Sequence, residues 1–350
     1  MRPRRILCRI VAVTFAGTAL IPSSARPARA AVSRAVMPPA ICSSFTHPAL
    51  AAKIGRDIQA ARRDRVSAVA VGVDDAGLGL TCWVNRFWHF DSASVVKVTI
   101  LSALLRKAED QHRYLTATEA AWARAMITRS DNDAASALWA ELGRGYLQHF
   151  LDAAAMRHTS LGPAGYWGLT QVTANDQVVL LRLLLNPNAV IDAAWRAYAL
   201  SLMAHVIPSQ RWGVPAGARA SLTAHVKNGW LPRATHGWRV HSIGCFTGRG
   251  GGYSIIVLTQ DNPAMAYGVD TIQAIARTID YDLNPEAASV VSASGPARGS
   301  GGPAAPRSSS RPARNPASSA PPGSSPPPTL QPSPSPGPSP RPPGRSPTSS

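Results

Sequence analysis

The spacing of apolar residues divides the chain into recognisable elements. Pro48–Arg63 has helical periodicity and predicts an amphipathic N-terminal helix. Val66–Val73 and Leu80–Asn85 read as strands joined by the turn Asp74-Asp75-Ala76-Gly77, a hairpin. Ser94–Lys107 carries Val95, Val96, Val98, Ile100, Leu101, Leu104 and Leu105, apolar nearly all round, which predicts a helix buried inside the domain. Further helices are expected at Thr118–Ile127, Asp133–Leu142 and Tyr146–Met156, followed by a Gly-rich loop, Leu161–Gln171. Thr173-x-x-Asp176 has the form of a capping box opening the helix Gln177–Leu185, so Asp176 reads as a cap and not as a catalytic acid. A helix at Asp192–Val206 and a loop at Pro208–Arg219 lead to three strands, Thr223–Trp230, Arg239–Thr247 and Tyr253–Gln260. Gly248–Gly252 turns between the last two, and Ala264–Asp280 is a closing helix. This order predicts an α+β three-layer fold. Terminal helices cover one face of a five-stranded antiparallel sheet, and a helical block forms a subdomain on the other.

The two ends differ from this middle. Arg2, Arg4, Arg5 and Arg9, the apolar run Ile10–Ile21 and the small-x-small site Ala28-Arg29-Ala30 predict an export signal over residues 1–30. Its apolar run is too short for a membrane span, and both the general and the twin-arginine export routes stay open. Residues 31–46 read as a linker, 47–284 as the folded domain, and 285–350 as a disordered tail holding 19 of the 31 prolines. Such a tail suits a spacer in a cell envelope. The expected location is therefore secreted, extracellular or envelope-bound, with the protein a monomer and without a membrane span once the signal is removed.

The formal charge of +17 raises the question of nucleic acid. Residues 1–30 hold six arginines, and residues 285–350 six more against one glutamate, leaving 17 − 6 − 5 = +6 for the middle. The basic residues there are dispersed, with no basic stretch interleaved with aromatics, so a nucleic-acid partner is not expected. Beyond the signal lie Cys42, Cys82 and Cys245; export permits a disulfide, and Cys42–Cys82 is the favoured pair. No zinc-type spacing occurs, and no metal or other cofactor is expected.

Candidate chemistry centres on Ser94 and Lys97. One turn apart, they share a helix face. A serine hydroxyl needs a base beside it, and a buried lysine can serve as one. The chain has 4 lysines against 32 arginines, and arginine cannot give up its proton, so lysine at 97 is informative. Ser130-Asp131-Asn132 follows a predicted helix, and Lys227-Asn228-Gly229 lies in the first late strand. Alone K-x-G means little, since Lys53-Ile54-Gly55 has it too; the ordered set S-x-x-K, S-D-N, K-x-G is far more demanding.

Over roughly Pro48–Asp282 the sequence resembles the serine β-lactamase and penicillin-binding DD-peptidase superfamily, most closely class A β-lactamases. The resemblance implies that Ser94 is the acylated nucleophile and that Lys97 takes or relays its proton. Ser130 would protonate the leaving nitrogen, Asn132 hydrogen-bond the substrate amide, and Lys227 hold the substrate carboxylate. Asn228, in place of the usual Thr or Ser, would donate to that carboxylate with a different reach. The N–H groups of Ser94 and Trp230, flanking Gly229, would form an oxyanion hole. Arg239 or His241 would supply a second cation. Two departures stand out: the stretch between Ser94 and Ser130 is short, and no glutamate occurs between Glu141 and Glu286 to activate a deacylating water. Asp152 precedes the loop, and Tyr166, Thr170 and Gln171 within it are poor bases. The resemblance implies a serine hydrolase taking a small-molecule β-lactam, with slow deacylation. The alternatives are a DD-peptidase-like enzyme acting on peptidoglycan peptides and associated with the wall through its tail, or a non-catalytic binding module on the same fold.

Overall fold

A computed structural model describes residues 38–163, 165–249 and 251–284. The expected export signal and the tail lie outside the described residues. The elements are β1 (Ile41–Ser44), α1 (Pro48–Ala61), β2 (Ala68–Asp75), β3 (Leu80–Val84), β4 (Phe90–Asp91), α2 (Val96–Asp110), α3 (Ala117–Thr128), α4 (Asn132–Ala153), β5 (Gln171–Val172), α5 (Ala174–Leu185), α6 (Ala193–Ala204), β6 (Thr223–Pro232), β7 (Trp238–Gly248), β8 (Gly251–Asn262) and α7 (Met265–Leu283). The main sheet is antiparallel in the order β1-β3-β2-β8-β7-β6, with α1 and α7 packed together on one face. Helix α5 packs on β2 and β8 from the other face, and α2, α3 and α4 pack on one another.

The sheet has six strands, where the hydrophobic pattern predicts five. The additional strand is β1, in the stretch expected to be a linker. It is short and alternates exposed with half-buried positions, so its pattern is too weak to separate from a loop. Its place is set by β3, with Cys42 opposite Cys82, and these two cysteines form the disulfide. Cys245 is buried and free.

Helix α2 is buried along most of its length, as its all-round apolar pattern predicts. The two helices expected at 133–156 are one kinked helix. Gly143 takes φ 69° and ψ 159° inside α4, the left-handed region where glycine has no Cβ penalty. Thr173 caps α5 by accepting from the Asp176 N–H at 3.2 Å. The Asp176 carboxylate does not close the box. It accepts from the His158 N–H and the Thr159 hydroxyl, both at 2.8 Å, and from the Asn175 amide at 2.9 Å. A fully buried carboxylate needs several donors; this one fastens the turn after α4 to the start of α5.

The disulfide closes a loop with a sequence separation of 40. Chain entropy assigns about 4 kcal/mol to a loop of that length. Cys42→Ser is expected to lower the unfolding free energy by about 2–4 kcal/mol in denaturant titration. Reductant should then have little further effect on the variant while destabilising the parent.

Candidate active site

The strand β4 pairs with β5, Phe90 opposite Val172, and this small ladder draws the loop 161–170 against the start of α2. The Ser92 N–H donates to the Thr170 carbonyl at 2.8 Å. Its hydroxyl approaches the Trp167 and Gly168 carbonyls at 3.5 and 3.4 Å. Ala93 then takes φ 46°, and a 3-10 turn, Ala93–Val95, carries the half-buried Ser94 into α2. Ser130 has φ 58°. A non-glycine residue held there costs on the order of 1–3 kcal/mol, so the surrounding structure forces the backbone at both hydroxyl-bearing corners.

Lys97 is 0% exposed and reaches across to the turn between α3 and α4. Its Nζ donates to the Ser130 carbonyl at 2.6 Å and to Asn132 Oδ1 at 2.8 Å, and lies 3.3 Å from Ser130 Oγ. The Trp167 ring lies over it, 4.6 Å from Nζ to the centroid. Burial pushes the Lys97 ammonium from 10.5 down to about 7, against the opposing charge of Asp131. That displacement corresponds to about 5 kcal/mol against the charged form. An aromatic face returns only about 0.5–2 kcal/mol, so desolvation wins and a large neutral fraction exists near neutrality. The ammonium has three N–H bonds and three acceptors in reach. The neutral amine has two N–H bonds and a lone pair free to take a proton.

Lys227 enters from β6 and is also fully buried. Its Nζ donates to Ser130 Oγ at 2.9 Å and to the Asn228 carbonyl at 2.8 Å. Burial, then the charge of Lys97, holds its pKa well below the usual lysine range. The Ser130 hydroxyl thus sits between two amines on opposite sides of the cleft. Asn132 is exposed, and with its oxygen committed to Lys97 its NH2 is oriented as a donor. Asp131 caps α4 through the Ala134 N–H at 2.8 Å. Gly229 brings β6 against the Ser94 turn: a Cβ there would stand 2.7 Å from the Ser94 nitrogen and 2.9 Å from that of Val95. The backbone of β6 at Gly229 therefore runs beside the Ser94 turn. The indole of Trp230 meets Trp212, centroids 6.0 Å apart.

Three expectations are corrected. Asn228 is not available to a substrate carboxylate: its Nδ2 donates to the Gln210 and Trp212 carbonyls, both at 2.8 Å, and its side chain is buried. Strand alternation turns it to the face opposite Lys227 and Gly229, where it holds the loop after α6. Arg239 is buried against Asp91, Nη2 to Oδ2 3.1 Å, so its charge is already matched. His241 accepts from the Thr259 N–H at Nδ1 and donates from Nε2 to the Asp91 carbonyl, and burial drives its pKa down to about 4. It is a neutral buried histidine, not a second cation.

Sequence reasoning missed Trp167 and Ser136. The indole Nε1 donates to Ser136 Oγ at 3.1 Å, tying the loop to α4 across Lys97. The signal available was a tryptophan inside a Gly-rich loop, and spacing alone does not say what such a ring touches. Among the described residues no cluster of three or more His, Cys, Asp or Glu is placed to hold a metal ion, and no helix is long and apolar enough to cross a membrane.

Two outcomes test this geometry through stability. A lysine whose folded pKa lies below its unfolded value destabilises the fold below that folded pKa, and the penalty fades as pH rises toward 10.5. Lys97→Met is therefore expected to unfold later than the parent at pH 7, by up to about 5 kcal/mol less the cost of the acceptors it abandons. The margin should shrink as pH rises, read by denaturant titration across the alkaline range. Gly229→Ala should destabilise by about 1–3 kcal/mol, because its Cβ meets backbone atoms that cannot move aside.

Residues 115–282 match the family model described as the beta-lactamase enzyme family. That span includes Ser130, Asn132, Trp167 and Lys227 but begins after Ser94 and Lys97. No curated protein matches the chain. Among solved structures, a class A β-lactamase from Bacteroides cellulosilyticus aligns with TM-score 0.59 at 17% identity, over 67% of this chain and 98% of that one. A β-lactamase from Sphaerobacter thermophilus aligns with TM-score 0.57 at 19% identity, over 66% and 96%. One from Desulfarculus baarsii aligns with TM-score 0.56 at 18% identity, over 67% and 98%. The chain thus has the serine β-lactamase-like fold of the class A enzymes, and its residues 115–282 match the model of the β-lactamase enzyme family.

Proposed function

We propose that this protein is a serine hydrolase that is acylated on Ser94 by β-lactams and releases the product slowly. The observation that carries the reading is the fully buried Lys97, held by Ser130 and Asn132, with Lys227 on the same Ser130 hydroxyl. Neutral Lys97 takes the Ser94 proton while Oγ bonds the lactam carbonyl carbon. The resulting oxyanion would be received by the N–H groups of Ser94 and Trp230, a role supported by the close approach of β6 to the Ser94 turn at Gly229. The carbon–nitrogen bond breaks as Ser130 Oγ gives its proton to the nitrogen, and a proton from Lys97 or Lys227 restores Ser130. A substrate carboxylate beside Lys227 would restore its charge, which burial otherwise disfavours. The Asn132 NH2 would donate to the side-chain amide.

Slow release is supported by the loop beside the site. It presents the Trp167 ring to Lys97, and the carboxylate acting on that lysine is Asp131, whose Oδ1 already accepts from the Ala134 N–H. The same feature favours the second reading, a DD-peptidase-like enzyme acting on peptidoglycan stem peptides. A binding module on this fold is the third. The N-terminal export pattern and the Cys42–Cys82 disulfide support action outside the cytoplasm.

The deciding experiment is intact-mass spectrometry of the mature protein mixed with benzylpenicillin, followed from seconds to hours. The expected result is a long-lived adduct on Ser94 that Ser94→Ala abolishes, forming faster as pH rises through about 7. A short-lived adduct with accumulating hydrolysed penicillin would mean efficient turnover. Neither adduct nor hydrolysis would overturn the β-lactam reading and direct the assay to D-Ala-D-Ala peptides. Biological activity unchanged by Ser94→Ala would favour the binding module.

A further inference from the structure

Hydrolysis of an ester on Ser94 requires a water whose oxygen bonds the acyl carbon while a base takes its proton. The Ser94 C–O bond then breaks, and Oγ takes a proton back. In this site the base within the cleft is Lys97. Its Nζ is in contact with two atoms of Ser130, with Asn132 and with the Trp167 ring, and the side chain is 0% exposed. The ring is not a loose cover. The indole nitrogen is bonded to Ser136 on α4, and the backbone of the ring's own turn is met by the Ser92 hydroxyl. The Ser92 N–H holds Thr170, and the Thr170 hydroxyl accepts from the Gly162 N–H at 3.1 Å. The loop is thus stitched at both ends to elements that carry catalytic groups, with an apolar plate over the amine.

We propose that Trp167, latched by Ser136, is a positioning residue that bars water from the Lys97 side of the acyl-enzyme, so that esters on Ser94 persist. This rests on the acyl-enzyme reading above. It goes beyond the missing glutamate: a base remains in Lys97, and the ring keeps water from it. The charged and titratable groups that face Lys97 are Asp131 from the turn before α4 and Lys227 from β6. Neither belongs to the loop, so a change at 167 acts on Lys97 through solvent access and the ring alone.

The test uses the mature full chain with benzylpenicillin and reads adduct lifetime by intact mass at about pH 8, where most of Lys97 is neutral. Trp167→Ala is expected to shorten the lifetime about a hundredfold, the lower end of what a positioned base supplies. Trp167→Phe, which keeps a ring over the amine, should stay close to the parent. Ser136→Ala, at an exposed position, should fall between them, and it decides the matter alone if Trp167→Ala does not fold. A second readout separates this role from a structural one. The midpoint of the acylation pH profile, near 7 in the parent, should rise in Trp167→Ala as water reaches Lys97 and hold in Trp167→Phe. Partial unfolding would lower the amplitude and leave the midpoint fixed. Adducts of equal lifetime in the parent, Trp167→Ala and Ser136→Ala would overturn the role of Trp167 and leave the acyl-enzyme reading standing. No adduct in any of them would overturn both.

Discussion

Two buried lysine side chains converge on one serine hydroxyl, and much of the domain serves to hold them there. Lys97 comes from the central helix and Lys227 from an edge strand, and Ser130 lies between them. Neither amine gains by being buried as an ammonium. Their hydrogen bonds to Ser130, Asn132 and the Asn228 carbonyl recover part of the lost hydration. The remainder is held by the large apolar core around α2 and the sheet. Burying the two amines lowers the pKa of each and costs the fold stability while they are charged.

The same balance explains the local backbone. Ala93 and Ser130 occupy left-handed conformations beside the two hydroxyls, and Gly229 lets a strand touch the Ser94 turn with no side chain between. Each is unfavourable or permissive in isolation and acceptable because packing determines the position. Residues around them that look functional are structural. Asn228 braces the loop after α6. Arg239 and His241 anchor Asp91 and its carbonyl, just upstream of Ser92.

Trp167 lays an indole face over Lys97 in this architecture. Residues that activate water need polar surroundings, whereas an indole face over an amine favours a dry cleft. On the proposed reading, the site is equipped for the first half of an acyl-transfer cycle and shielded against the second.

Much of the fold was legible because hydrophobic periodicity is a local property. The buried α2 followed from its all-round apolar pattern, and the order of helices and strands from the turns between them. Position near the start of the domain favoured the Cys42–Cys82 pair, and the pairing of β1 with β3 decided it. Strand β1 was not legible, because four residues of weak alternation become a strand only when β3 supplies hydrogen bonds. The motifs in order named Ser94, Lys97, Ser130, Asn132 and Lys227. Sequence by itself determined which reactive groups exist and in what order they occur, because composition and spacing are written along the chain. Only the tertiary structure decided which of them meet. It turned Asn228 away from the cleft, matched Arg239 with Asp91, neutralised His241 by burial and laid Trp167 over Lys97. Burial, pairing and pKa depend on neighbours that are distant in the chain.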